Sequence, residues 1–98
     1  MKLYTSKDNK GALLYELIGA DTVSVYEKVI NHISKQLGGV VGKRYAGPGG
    51  MTTQVKFSPH YILFYLDEMT GMAFAPSNEE GLVFCESIVS ALKEWSPE

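Results

Sequence analysis

The sequence predicts an α+β domain: an antiparallel sheet of five to six strands with two helices on one face, in the order (β)β-α-ββββ-α. Three observations predict it. Two stretches, one between Asp21 and Gly38 and one between Ser77 and Pro97, carry apolar residues at helical spacing. Between them runs a series of short alternating stretches separated by turn residues, and strands joined this way pair antiparallel. Two apolar helix stripes need one shared apolar surface, which a single sheet face supplies. Ninety-eight residues, 45% of them apolar, make one domain spanning 1–98 with enough material for a core.

Leu3 to Thr5 reads as a short first strand. Lys7-Asp8-Asn9-Lys10-Gly11 is turn chemistry, and Ala12 to Ile18 is the second strand. Asp21 is placed to cap the first helix. Tyr26, Val29, Ile30, Ile33 and Leu37 then form its inward stripe, with Glu27, Lys28, Asn31 and Lys35 outward. Gly38-Gly39 ends it, because glycine enters the left-handed cap conformation without a Cβ penalty.

Val40 to Ala46 is the next strand. Met51 to Phe57 alternates cleanly, with Met51, Thr53, Val55 and Phe57 on one face, as in a sheet buried on one side. Ser58-Pro59-His60 turns the chain. Tyr61 to Leu66 is apolar on both faces and reads as a central strand. Asp67 to Gly71 forms a hairpin loop, and Met72 to Ala75 returns. Ser77-Asn78-Glu79-Glu80 has the form of a capping box for the second helix. Phe84, Cys85, Ile88, Ala91, Leu92 and Trp95 mark that helix's stripe.

Chemistry finds little purchase in this chain. It has no Gly-x-Ser-x-Gly elbow, and Gly47-Pro48-Gly49-Gly50 lacks the lysine and hydroxyl of a phosphate loop. His32 and His60, the only histidines, have no companions at zinc-ligand spacing and read as solvated side chains. Cys85, the only cysteine, sits on an apolar stripe as a small buried hydrophobe. A lone cysteine excludes an intrachain disulfide and suits a reducing compartment. The polar start and the absence of a long apolar run point to the cytoplasm, with no membrane partner. No cofactor is called for, and the expectation is a protein without enzymatic activity.

Lys43, Arg44 and Lys56 with Tyr45 form a small basic group. Nucleic-acid binding through it is disfavoured, because alternation sends Lys43 and Arg44 to opposite faces and the net charge is −2. The uneven spread of charge carries more. Residues 1–60 total +4 and residues 61–98 total −6. Asp67, Glu68, Glu79 and Glu80 gather the acids around one return strand, one pair expected at each end. Caps and turns account for part of this acidity, since Glu79 and Glu80 suit a helix N-terminus and Asp67 a turn.

The stand-alone size, the α+β plan, the lack of a catalytic set and the acids at Asp67-Glu68 and Glu79-Glu80 resemble the small immunity proteins of bacterial contact-dependent and other polymorphic toxin systems. That resemblance implies a tight, inhibitory interface with a cognate toxin, often a nuclease with an electropositive cleft. Acids would then steer association, and Tyr61, Tyr65 or Tyr45 would anchor it. The basic first sixty residues depart from the uniformly acidic pattern of many nuclease inhibitors and leave the target class open. The sequence thus leads to a protein-binding module, with Asp67, Glu68, Glu79, Glu80, Tyr61 and Tyr65 as its partner-binding set. The alternative is a small-molecule-binding domain or minor enzyme with a pocket between sheet and helices, on which His32, His60 or Tyr45 would converge.

Overall fold

Alternation of Leu13, Tyr15 and Leu17 builds β2 (Leu13–Leu17), which pairs with the short β1 (Leu3–Lys7), and the helical stripe of Tyr26 to Leu37 builds α1 (Val23–Leu37). Four strands follow: β3 (Val40–Gly47), β4 (Gly50–Phe57), β5 (His60–Asp67) and β6 (Gly71–Pro76). A single 3-10 turn at Glu79–Gly81 leads into α2 (Leu82–Lys93). This is a computed structural model, and it describes residues 1–7, 10–67 and 69–96. The strands form one antiparallel sheet in the order β1-β2-β6-β5-β4-β3. The predicted α+β architecture and element order are those observed, and β5 is central as expected.

One sheet face packs both helices. Tyr15 and Leu17, Val55 and Phe57, Ile62, Phe64 and Leu66, and Met72 and Phe74 meet Tyr26, Val29, Ile30 and Ile33 of α1 and Cys85, Ile88 and Leu92 of α2 in one cluster. Side chains alternate across a strand, so the intervening residues lie on the other face, which no helix covers. Register makes rows there. Tyr4, Glu16, Ala73, Tyr65, Thr52 and Tyr45 lie in line across all six strands. Ala75, Leu63 and Gln54 form the next row, and Tyr61, Lys56 and Val40 a third.

Two caps differ from expectation. Thr22, not Asp21, caps α1: its Oγ1 accepts from Val25 N at 3.2 Å. Both residue types suit the position, and the chain enters the helix one residue later. The Ser77–Glu80 capping box does not form. Ser77 N donates instead to Tyr61 O at 2.9 Å, prolonging the β5–β6 pairing. The Asn78 side chain then caps the 3-10 turn through Gly81 N. At the far end, Gly38 takes φ 73° and closes α1 as predicted, its N–H donating to Ser34 O. The Met1 ammonium donates to the carbonyls of Leu92 (3.1 Å), Lys93 (3.2 Å) and Trp95 (2.8 Å), a charge suited to the C-terminal end of α2.

Thr53 is the one polar residue among the fully buried side chains described. A chain of hydrogen bonds runs through it. Arg44 Nε donates to Thr53 Oγ1 at 3.0 Å, and Tyr26 Oη lies 2.7 Å from both Thr53 Oγ1 and Phe64 O. The carbonyl can only accept, so Tyr26 donates to Phe64 O and accepts from Thr53. The chain ties α1 to β3, β4 and β5.

Gly50 pairs with Asp67 of β5, and a Cβ added there would collide with the backbone oxygen of Leu66. Backbone held in strand pairing cannot step aside as a flexible side chain can. Gly50→Ala is therefore expected to cost about 1–3 kcal/mol, read as a lowered urea midpoint. An unchanged midpoint would mean that the strands separate freely there.

Candidate functional site

Tyr65 occupies the middle of the uncovered sheet face, in the row between Ala73 and Thr52. Small neighbours leave room around its ring, and a depression opens on each side of it. One, of about 490 Å³, is lined by Leu63, Tyr65, Ala75, Asn78 and Glu79, among others. The second, of about 350 Å³, is lined by Met51, Thr52, Tyr65, Asp67 and Met69 together with the Pro48–Gly50 loop. Tyr65 is thus flanked by Glu79 on one side and Asp67 on the other. This brings three of the predicted partner-binding residues onto one surface.

The rest of that set is dispersed or differently used. Tyr61 is 40% exposed on the same face, in the row beside Lys56, whose Nζ lies 5.5 Å from the ring centroid. It therefore sits with a cation rather than with the acids. Glu80 is exposed on the 3-10 turn and lines neither depression. Glu68 lies outside the described residues. Asp67 Oδ1 accepts from Met69 N at 2.7 Å and Thr70 N at 3.3 Å, so its carboxylate shapes the β5–β6 turn while remaining exposed. Asp67 and the Glu79–Glu80 pair fall at opposite ends of β6, as the strand length predicts.

Tyr4 and Glu16 extend the face toward β1. A hydrogen bond to the Glu16 carboxylate holds the Tyr4 phenol above its usual range. Sequence reasoning passed over Tyr4 and Leu63. The signal for Leu63 was present, because β5 is apolar at every second residue on the side the helices do not reach.

The basic group does not assemble. Arg44 lies on the helix side of the sheet, where its guanidinium makes a two-point contact with Glu27 of α1 and sits 5.8 Å from the Tyr26 ring centroid. A register shift between Val41 and Arg44 accompanies that placement. Tyr45 and Lys56 face the other way, in the uncovered rows.

The histidines and Tyr45 do not converge on a common pocket. The His32 ring stacks on Trp95 at 4.4 Å with a 7° interplanar angle. His60 tilts against Phe84, 5.9 Å away, and Tyr45 lies on the opposite sheet face. The space between sheet and helices is filled by Tyr26, Phe64, Phe74 and their aliphatic neighbours. His32 is half-buried rather than solvated, a correction that follows from the stacked indole. Cys85 is fully buried as predicted, and burial pushes its thiol up to about 12, with Glu86 adding to the shift. A thiol so placed is a poor nucleophile. Among the described residues no group of three or more His, Cys, Asp or Glu is placed to hold a metal ion. Nor is any described helix long and apolar enough to cross a membrane.

Protein-family models, curated proteins and solved structures offer no match to this chain.

Proposed function

We propose that this chain is a non-enzymatic protein-binding module that meets its partner with the uncovered sheet face. In its most concrete form it is a cytoplasmic immunity-type inhibitor that seats on the electropositive cleft of a toxin enzyme such as a nuclease. One observation carries the reading: Tyr65 stands at the centre of an uncovered face, between two depressions lined by Asp67 and Glu79. A central aromatic supplies contact area at low entropic cost, and acids around it favour a basic partner and hasten encounter. Ala73 and Ala75 in adjoining positions leave space for a partner's side chains.

The test begins with the reading frames adjacent to this chain's own, and uses any toxin-like enzyme domain that they encode. Equimolar protein is expected to abolish that enzyme's activity. Tyr65→Ala is expected to weaken inhibition about thirtyfold, the scale of an anchor residue worth about 2 kcal/mol. Changing Asp67 to Asn and Glu79 to Gln together is expected to slow association, most strongly at low salt. Amide spectra of the variants confirm that the fold is intact. Full inhibition by Tyr65→Ala would remove the sheet face from the interface, and failure of the wild-type chain to inhibit would remove the immunity reading.

A further inference from the structure

The uncovered sheet face is apolar well beyond the two depressions beside Tyr65. Tyr4, Val40, Tyr45 and Tyr61 stand on it between 40% and 67% exposed, and Leu63, Ala73 and Ala75 fill the ground between them. Monomeric proteins rarely leave a contiguous apolar surface of more than a few hundred Å² open. Six strands about 4.8 Å apart, with about 3.3 Å per residue along each, give this face an area on the order of 600 Å². Two such faces together reach on the order of 1,200 Å², the lower bound of a specific protein interface.

The charges on the face complement themselves. Lys56 pairs with Tyr61 on one side, and Ser77 N donates to Tyr61 O on the other, so Lys56 and Ser77 flank Tyr61 in one row. A half-turn about an axis along β5 therefore carries Lys56 of one copy over Ser77 of another, with the exposed Glu79 two residues further on. The same rotation sets Leu63 and Tyr65 each against its own counterpart. It also brings two Asp67 side chains together, but each carboxylate is drawn aside by the N–H groups of Met69 and Thr70. The exposed edge of β3 is a poorer meeting place. Its register shift between Val41 and Arg44, together with Lys43, works against addition of another strand.

We infer that a second copy of this chain covers the face. The two sheets stack about 10 Å apart with their strands aligned to within about 30°. The helices lie outermost, and Lys56 of each copy reaches Glu79 of the other across an isologous contact. The modest area sets the dissociation constant at about 1–100 μM. This inference does not rest on a toxin partner. It uses the same surface, so a second copy and a partner exclude each other, and the isolated chain tests it apart from any enzyme.

The experiment is sedimentation equilibrium of the intact chain from about 1 μM to about 500 μM, where the mass is expected to rise from one copy toward two. Leu63→Lys sets two ammonium groups face to face on the axis and is expected to weaken association about a hundredfold or more. Lys56→Glu and Glu79→Lys are each expected to weaken it about three- to tenfold, by setting like charges opposite one another. The double variant Lys56→Glu/Glu79→Lys is expected to restore association, because opposite charges then meet again. All three positions lie outside the buried core, and amide spectra verify that the variants keep the fold. The inference is overturned if the mass stays at one copy at every concentration, if Leu63→Lys associates as the wild type does, or if the double variant stays as weak as either single change.

Discussion

Tyr26→Ala is expected to leave the domain at or below the edge of stability. The side chain is fully buried, and it is both the largest apolar body that α1 contributes and the middle link of the Arg44–Thr53–Tyr26–Phe64 hydrogen-bond chain. Removing a buried aromatic ring costs about 3–5 kcal/mol through lost transfer energy and the cavity left behind. Removing the hydroxyl also strands the Phe64 carbonyl and the Thr53 proton, which adds about 1–3 kcal/mol. A domain of this size holds about 5–10 kcal/mol in all.

Tyr26→Phe separates the two contributions. It keeps the ring and removes only the hydroxyl, so the expected loss is about 1–3 kcal/mol, read from the urea midpoint at neutral pH. Thr53→Val removes the adjoining link and deprives Arg44 Nε of its acceptor. If the chain acts as a unit, the double variant Tyr26→Phe/Thr53→Val will lose less than the sum of the two single changes. A Tyr26→Phe midpoint equal to that of the wild type would show that water replaces the hydroxyl without cost. The Arg44–Glu27 pair at the outer end is about one-third exposed, so its own share is small, about 0–1 kcal/mol.

The helix stripes and the β4 alternation were legible because each repeats a period over many residues, so one misplaced residue does not alter the pattern. The caps were less so. Asp21 and Thr22 are adjacent residues that both accept backbone N–H bonds, and only the path of the incoming chain decides between them. Ser77 illustrates a stronger effect. Its local sequence fits a capping box, but pairing of its N–H with Tyr61 O, a contact sixteen positions away in sequence, commits it to the sheet. Arg44 was hidden for a similar reason: its ion pair with Glu27 requires α1 to lie over β3, which no local pattern encodes. The candidate site divides along the same line. Asp67 follows Tyr65 by two residues on β5, so strand alternation alone puts them on one face, whereas the approach of Glu79 to Tyr65 depends on how the chain turns after β6. The His32–Trp95 stack joins α1 to the segment after α2, where Trp95 lies beyond the helix whose stripe it was expected to share, and no local pattern encodes that contact.

A steep loss of stability is expected as pH rises above about 9, and Cys85 is its first cause. In the unfolded chain the thiol ionises near its ordinary value of 9.0, whereas in the folded protein burial, with Glu86 adding to the shift, holds it protonated up to about 12. Below pH 9 both states carry the proton and the fold keeps its full stability. Between 9 and 12 the unfolded state sheds the proton and the folded state does not, so each pH unit costs up to about 1.4 kcal/mol, approaching about 4 kcal/mol across the interval. Tyr15 and Tyr26 add to the decline above pH 10. Burial is the leading cause that raises both phenols above 10.0, Cys85 and Glu86 contributing further at Tyr15, so each is likewise retained only in the folded state. Urea midpoints from about pH 8 to about pH 11 will measure the slope. Cys85→Ala lowers stability at every pH by deleting a buried side chain, yet it removes the earliest titrating group. Its curve is therefore expected to stay flat for about one further pH unit before the tyrosines take over. Parallel curves for wild type and Cys85→Ala would show that the thiol ionises alike in both states and would refute its assignment as the alkaline trigger.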